Sequence, residues 1–181
     1  VFNALLELAE WDWPRDIRML VAAPITHAAG MMVAPVMLRG GTVIMLRGFD
    51  PAGFVAEVRR HRATATFLVP TMIYRLLDEP SATPEALAGL ETVIYGAAPI
   101  SPARLAEAVR RFGPIFMQAY AQYEAPNTLT VLPQKLHGPD AHPDVVDRPA
   151  HRLGFQPRHQ MHRDALDVFT PMQPSQQHEE V

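Results

Sequence analysis

Short apolar runs alternate with amphipathic stretches along most of the chain. Arg18 to Ala23, Thr42 to Leu46, Ala65 to Val69, Thr92 to Tyr95 and Ile115 to Gln118 have the length of buried strands and are mostly apolar, with β-branched or aromatic residues in each of the last four. Leu129 to Leu132 is a further strand candidate. Between these runs the pattern turns helical. Phe2 to Glu10 carries Leu5, Leu6 and Leu8 on one side, and His27 to Leu38 is apolar all round, which suits a buried helix. Asp50-Pro51 and Ser101-Pro102 each pair a capping residue with a proline at the first helical position. The first start leads into Phe54, Val55 and Val58, the second into Leu105, Val109 and Phe112. Thr71 to Asp78 reads as a short helix, and Gly40-Gly41 and Gly113-Pro114 are stops. Strands that alternate with helices imply crossover connections. The expected fold class is α/β, a mostly parallel sheet with helices on both faces.

That alternation also places the chemistry. Thr26-His27, Thr71, Gly96-Ala97-Ala98-Pro99 and Tyr120 to Glu124 each follow a predicted strand. In a parallel sheet all four groups lie on the carboxyl edge, where ligands bind. The densest group is Gln118-Ala119-Tyr120-Ala121-Gln122-Tyr123-Glu124, which offers amides, phenols and a carboxylate. On its own it reads equally as a site or as a polar loop closing a strand. His27 has the alternative of a buried imidazole bonded to backbone, and Glu124 that of a solvated carboxylate.

Composition narrows the classes. With 48% hydrophobic and 19% charged residues the chain reads as globular, and a net charge of -3 gives no reason to expect a nucleic-acid partner. Zero cysteines exclude disulfides and thiolate chemistry and fit a cytoplasmic protein. Met19 to Leu38 is uncharged over a membrane-spanning length, but Pro24 interrupts it, so no transmembrane segment is expected. No secretory signal is evident, and a start at Val1 suggests a piece of a longer protein. Seven of the eighteen prolines lie from Pro133 on and six of the eight histidines from His137 on, which divides the chain into a domain over 1–135 and an irregular tail over 136–181. His151, His159, His162 and His178 lie in that tail, but no cysteine and no acidic second shell of a built metal site is evident.

Three of these stretches, Pro24-Ile25-Thr26-His27-Ala28-Ala29-Gly30, Tyr95-Gly96-Ala97-Ala98-Pro99 and Gln118 to Glu124, resemble successive motifs of the adenylate-forming (AMP-binding) superfamily. Leu38-Arg39-Gly40-Gly41-Thr42 and Phe67 to Met72 look most like its fatty-acyl and aryl-CoA ligases. The resemblance covers Phe2 to Pro133 and implies a two-step reaction: a carboxylic acid and ATP give an acyl-adenylate, which coenzyme A converts to a thioester. It implies that Gly96, Ala97, Ala98 and Pro99 border the adenine, and that Ala119, Tyr120, Ala121 and Gln122 lie along the nucleotide. It implies that Tyr123 and Glu124 stand at the phosphates, Glu124 holding magnesium, and that His27 and Thr71 line the acyl pocket. The usual pattern around Tyr120 is Gln-Gly-Tyr-Gly-x-Thr-Glu; here Ala119, Ala121 and Tyr123 replace two glycines and the threonine. The superfamily's phosphate loop, ribose-binding aspartate motif and C-terminal lysine domain find no match. The chain alone is therefore expected not to turn over, and the alternative is a non-catalytic remnant that binds an acyl group or a protein. Oligomeric state and acid specificity stay open at this level.

Overall fold

A computed structural model describes residues 2–122 and 128–137. The calls on Tyr123, Glu124 and the tail beyond His137 lie outside the described residues. Among them the elements run α1 (Phe2–Glu10), β1 (Arg18–Val21), α2 (Ala28–Met31), α3 (Val33–Leu38), β2 (Thr42–Met45), α4 (Pro51–His61), β3 (Ala65–Leu68), α5 (Pro70–Leu77), β4 (Thr92–Tyr95), α6 (Pro102–Phe112), β5 (Phe116–Tyr120) and β6 (Thr130–Leu132). The strands form one sheet in the order β2-β1-β3-β4-β5-β6, parallel except for the antiparallel β5–β6 pair.

Alternation along the strands feeds two cores. Leu20, Leu68, Val93, Tyr95 and Phe116 face α4, α5 and α6, packing on Phe54, Val58, Ile73, Leu76 and Leu105. Met19, Val21, Ala65, Phe67, Ile94 and Met117 face the other way, onto Trp11, Ala29, Met32 and Val36 from the α1 to α3 side. Helices thus cover both faces, as the strand–helix alternation implies.

Two expectations are corrected. The apolar stretch from His27 to Leu38 is two short helices that meet at Met32, not one. Pro35 explains the break: it has no N–H to offer Met31 and its ring would strike that carbonyl, so the helix restarts with Pro35 in its first turn. Ala34, Met37 and Leu38 are exposed, so the segment is not buried all round. The strand after it, β2, is an edge strand, half exposed along its length. In turn β5 runs two residues further than the apolar run suggests, because β6 pairs with Gln118, Ala119 and Tyr120.

The β5 side of the sheet is closed by a 3-10 turn, Gln134–Leu136. The Gln134 amide donates to the Glu91 and Ile115 carbonyls at the start of β4 and β5, while its backbone N–H donates to Asp12 Oδ2 at 2.8 Å. Beyond it His137 is buried against Tyr95. Its Nδ1 lies 3.1 Å from the Pro133 carbonyl, which can only accept, so Nδ1 carries the proton and Nε2 accepts from the Tyr95 hydroxyl at 2.9 Å. Burial pushes the His137 imidazole below its ordinary range and the Tyr95 phenol above its own; the Pro133 carbonyl and Asp12 oppose the histidine shift.

Candidate active site

The sheet reverses direction of growth at β1. The chain leaves β1 for β2 across the α2–α3 face, and then leaves β2, β3 and β4 across the α4–α6 face. A crevice opens at such a switch point, beyond the carboxyl ends of β1 and β3. The reason it stays open can be read from the strand register. Across the α1–α3 face runs a row of large residues, Val21, Phe67, Ile94 and Met117, aligned by the parallel pairing. Two residues further along each strand the same face carries Ala23, Val69, Gly96 and Ala119. Apart from Val69 the side chains of this last row are small, and a cleft of about 780 Å³ opens there.

One wall of the cleft is Ile25 to Ala28 with Gly30 to Met32; the other is Ala97, Ala119, Ala121 and Gln122; Phe67 lies at its floor. Phe67 and Met32 are buried, whereas Ile25, Thr26, His27 and Gln122 are exposed at the rim. Among the described lining residues no side chain is an acid, a lysine or an arginine. His27 is solvent-exposed, so it is not a buried imidazole. Its backbone closes the turn after β1: its N–H donates to Pro24 at 3.1 Å and its carbonyl accepts from Gly30 at 2.9 Å.

Two backbone features hold the opposite wall. A Cβ on Gly96 would stand 2.3 Å from the Ala119 carbonyl oxygen, so only glycine lets β4 leave the sheet this close to β5. Ala97 then turns with φ 65°, in the left-handed region that favours glycine. Ala119 and Ala121, by contrast, are absent from the positive-φ residues, so the replaced family glycines impose no left-handed strain there.

The residues singled out in the sequence separate into three groups. His27, Ala97, Ala119, Ala121 and Gln122 come together on the cleft. Gly96, Ala98, Pro99, Tyr120 and Thr71 share the same sheet edge but do not line it; Thr71 is exposed on the first turn of α5. The Tyr120 hydroxyl accepts from the Gln122 amide at 2.7 Å. Tyr123 and Glu124 lie outside the described residues. Met31 and Met32 are cleft residues that no motif announced, and Gly30 and Phe67 stood within matched stretches without being given a role. Phe67 had a signal, its place in the alternation of β3; the methionines had none, in a segment apolar on every side.

Comparison with known proteins decides the kinship. The family model described as AMP-binding enzyme matches residues 1–154. The chain belongs to the AMP-binding enzyme family. It is 48% identical over 132 residues to the medium/long-chain-fatty-acid–CoA ligase FadD8 of Mycobacterium tuberculosis, covering 73% of this chain and 23% of that one. It is 40% identical over 133 residues to a feruloyl-CoA synthase of an Amycolatopsis species, covering 72% and 27%. Among solved structures, the amide bond synthetase McbA of Marinactinospora thermotolerans superposes with a TM-score of 0.70 at 32% identity, over 81% of this chain and 30% of McbA. ATP-bound MatB of Rhodopseudomonas palustris gives 0.66 at 30% identity, over 74% and 26%. This AMP-binding chain spans about a quarter of the length of the relatives it matches. No helix among the described residues is long and apolar enough to cross a membrane.

Proposed function

We propose that the protein to which this segment belongs is an AMP-forming acyl-CoA synthetase that activates a fatty or aryl carboxylic acid. The observation that carries the reading is the cleft at the switch point, uncharged on its described walls and flanked by His27 and by the Gly96–Ala97 turn. In the first step a carboxylate oxygen attacks the α-phosphorus of ATP, and the bond to pyrophosphate breaks. In the second the coenzyme A thiol attacks the acyl carbonyl, AMP leaves and the thiol proton passes to solvent. A rim histidine suits the carboxylate end of the acid, because imidazole can donate to it while the tail enters the apolar floor. Gly96 to Pro99 border the adenine, Ala119 to Gln122 follow the nucleotide, and Thr71 stands at the same edge. Among the described residues no three histidine or acidic side chains cluster. Magnesium would arrive on the triphosphate, and Glu124 is the carboxylate that the family resemblance assigns to it.

The test replaces the matching segment of the FadD8 relative by residues 1–154 of this chain. Acid-dependent exchange of pyrophosphate into ATP is the expected outcome, falling about a hundredfold in Glu124→Gln. Absence of exchange in the unmutated chimera, with the chimera folded, would return the chain to a non-catalytic acyl-binding remnant.

A further inference from the structure

We infer that Phe67, backed by Met32, is the stop that sets how long a tail the cleft accepts. The inference rests on the acyl-activating reading for the identity of the ligand, and on the sheet register for the geometry. The α2 wall of the cleft, Ala28, Gly30 and Met31, gives an extended tail a path from the His27 rim inward, across the sheet's small row. That path meets the large row two residues back, and of the large row only Phe67 is part of the cleft wall. Phe67 is 3% exposed on the central strand β3. Its register partners Val21 and Ile94 flank it, so the ring has no free side on which to swing away. Met32 is 1% exposed and comes from the helical layer above, closing the gap between sheet and helix. Gly30 lets α2 fold tightly against the loop that leads into it, since a Cβ there would overlap the Ile25 carbonyl oxygen at 1.9 Å. The terminal methyl of a tail thus ends against an aromatic ring and a thioether, with no charged or hydrogen-bonding side chain at that depth among the described residues.

Two consequences distinguish a stop from a merely apolar wall. Each methylene buried along the path adds about 0.8 kcal/mol, roughly fourfold in affinity, until the tail reaches Phe67; beyond that length the gain ceases. A second carboxylate at the far end of the tail would be buried without a partner, so a dicarboxylate of the same length binds far more weakly.

The experiment uses the whole 181-residue chain, labelled at the methionine methyls, titrated with straight-chain monocarboxylates of increasing length. Met31 and Met32 resonances report occupancy of the cleft, and Met37 and Met45, both exposed elsewhere, report non-specific contact. The expected plot of affinity against length rises and then breaks, and Phe67→Ala moves the break to acids at least two carbons longer. Phe67→Leu, which keeps the strand apolar and removes less volume than Phe67→Ala, moves it in the same direction by less. The dodecanedioate dianion binds at least tenfold more weakly than dodecanoate. A break unmoved in both variants overturns the inference, as does binding of the two twelve-carbon acids with equal affinity, or shifts confined to Met37 and Met45. A moved break in a chain whose chimera exchanges no pyrophosphate would keep the stop and remove the ligase.

Discussion

Ala97 holds φ 65° at the cleft wall, where an L side chain sits roughly 1–2 kcal/mol above a right-handed conformation. Replacing it by glycine removes that strain at the cost of a looser unfolded chain, so Ala97→Gly should raise stability by about 0.5–1 kcal/mol in urea unfolding. Its neighbour behaves oppositely. Gly96→Ala drives a methyl to 2.3 Å from the Ala119 carbonyl, and backbone cannot yield as a side chain can. A loss on the order of 2–3 kcal/mol is expected, and an unchanged unfolding midpoint would show that the β4–β5 approach is looser than described. Sequence alone named Gly96, Ala97 and Ala119 as site residues, since each follows or ends an apolar run. It could not assign the strain. Motif comparison shows glycines replaced at Ala119 and Ala121, whereas the backbone puts the strain on Ala97, because φ depends on how β4 leaves the sheet and not on which residue a family prefers.

At the scale of elements, the two proline-led helix starts look alike in sequence and differ in chemistry. Asp50 Oδ2 accepts from the Gly53 N–H at 2.8 Å and caps α4, but the Ser101 hydroxyl makes no cap bond. The Ser101 N–H donates instead to the Tyr74 hydroxyl at 2.6 Å, tying α6 to α5. Asp50→Ala should therefore cost about 1 kcal/mol and Ser101→Ala less than about 0.5, a contrast that thermal melts of the two variants would read directly. The element that latches β5 carries the pH dependence. His137 is held neutral by burial below its ordinary pKa of about 6.5, so the unfolded chain binds the proton first. Its stabilising effect is whole above that value and is lost as pH falls from there toward the lowered folded-state value. Tyr95, raised above its ordinary value of about 10, makes stability decline again as pH climbs past that point. In His137→Gln the loss between pH 6.5 and 5 should shrink. An acid limb identical to that of the parent chain would exclude the latch as its cause.

Across the whole molecule the alternation of strands and helices made the parallel sheet and its active edge legible, because crossover connections leave few topologies open. The strand order was not legible. Nothing in Thr42 to Leu46 distinguishes an edge strand from a central one, since both are short, apolar and β-branched. Nor could periodicity divide the segment at Met32, where a single proline outweighs an unbroken apolar run. The order β2-β1-β3 bears on how the chain is made. Synthesis delivers β1 and then β2, yet β1 must also receive β3, whose first residue, Ala65, follows forty-four positions after Val21. At ordinary translation rates that interval lasts on the order of seconds. Throughout it one side of β1 offers unpaired backbone groups beside Met19, Leu20 and Val21, all fully buried in the finished sheet. The nascent sheet is thus open to wrong pairing until its central strand exists, and it is there that a chaperone would find its binding stretch.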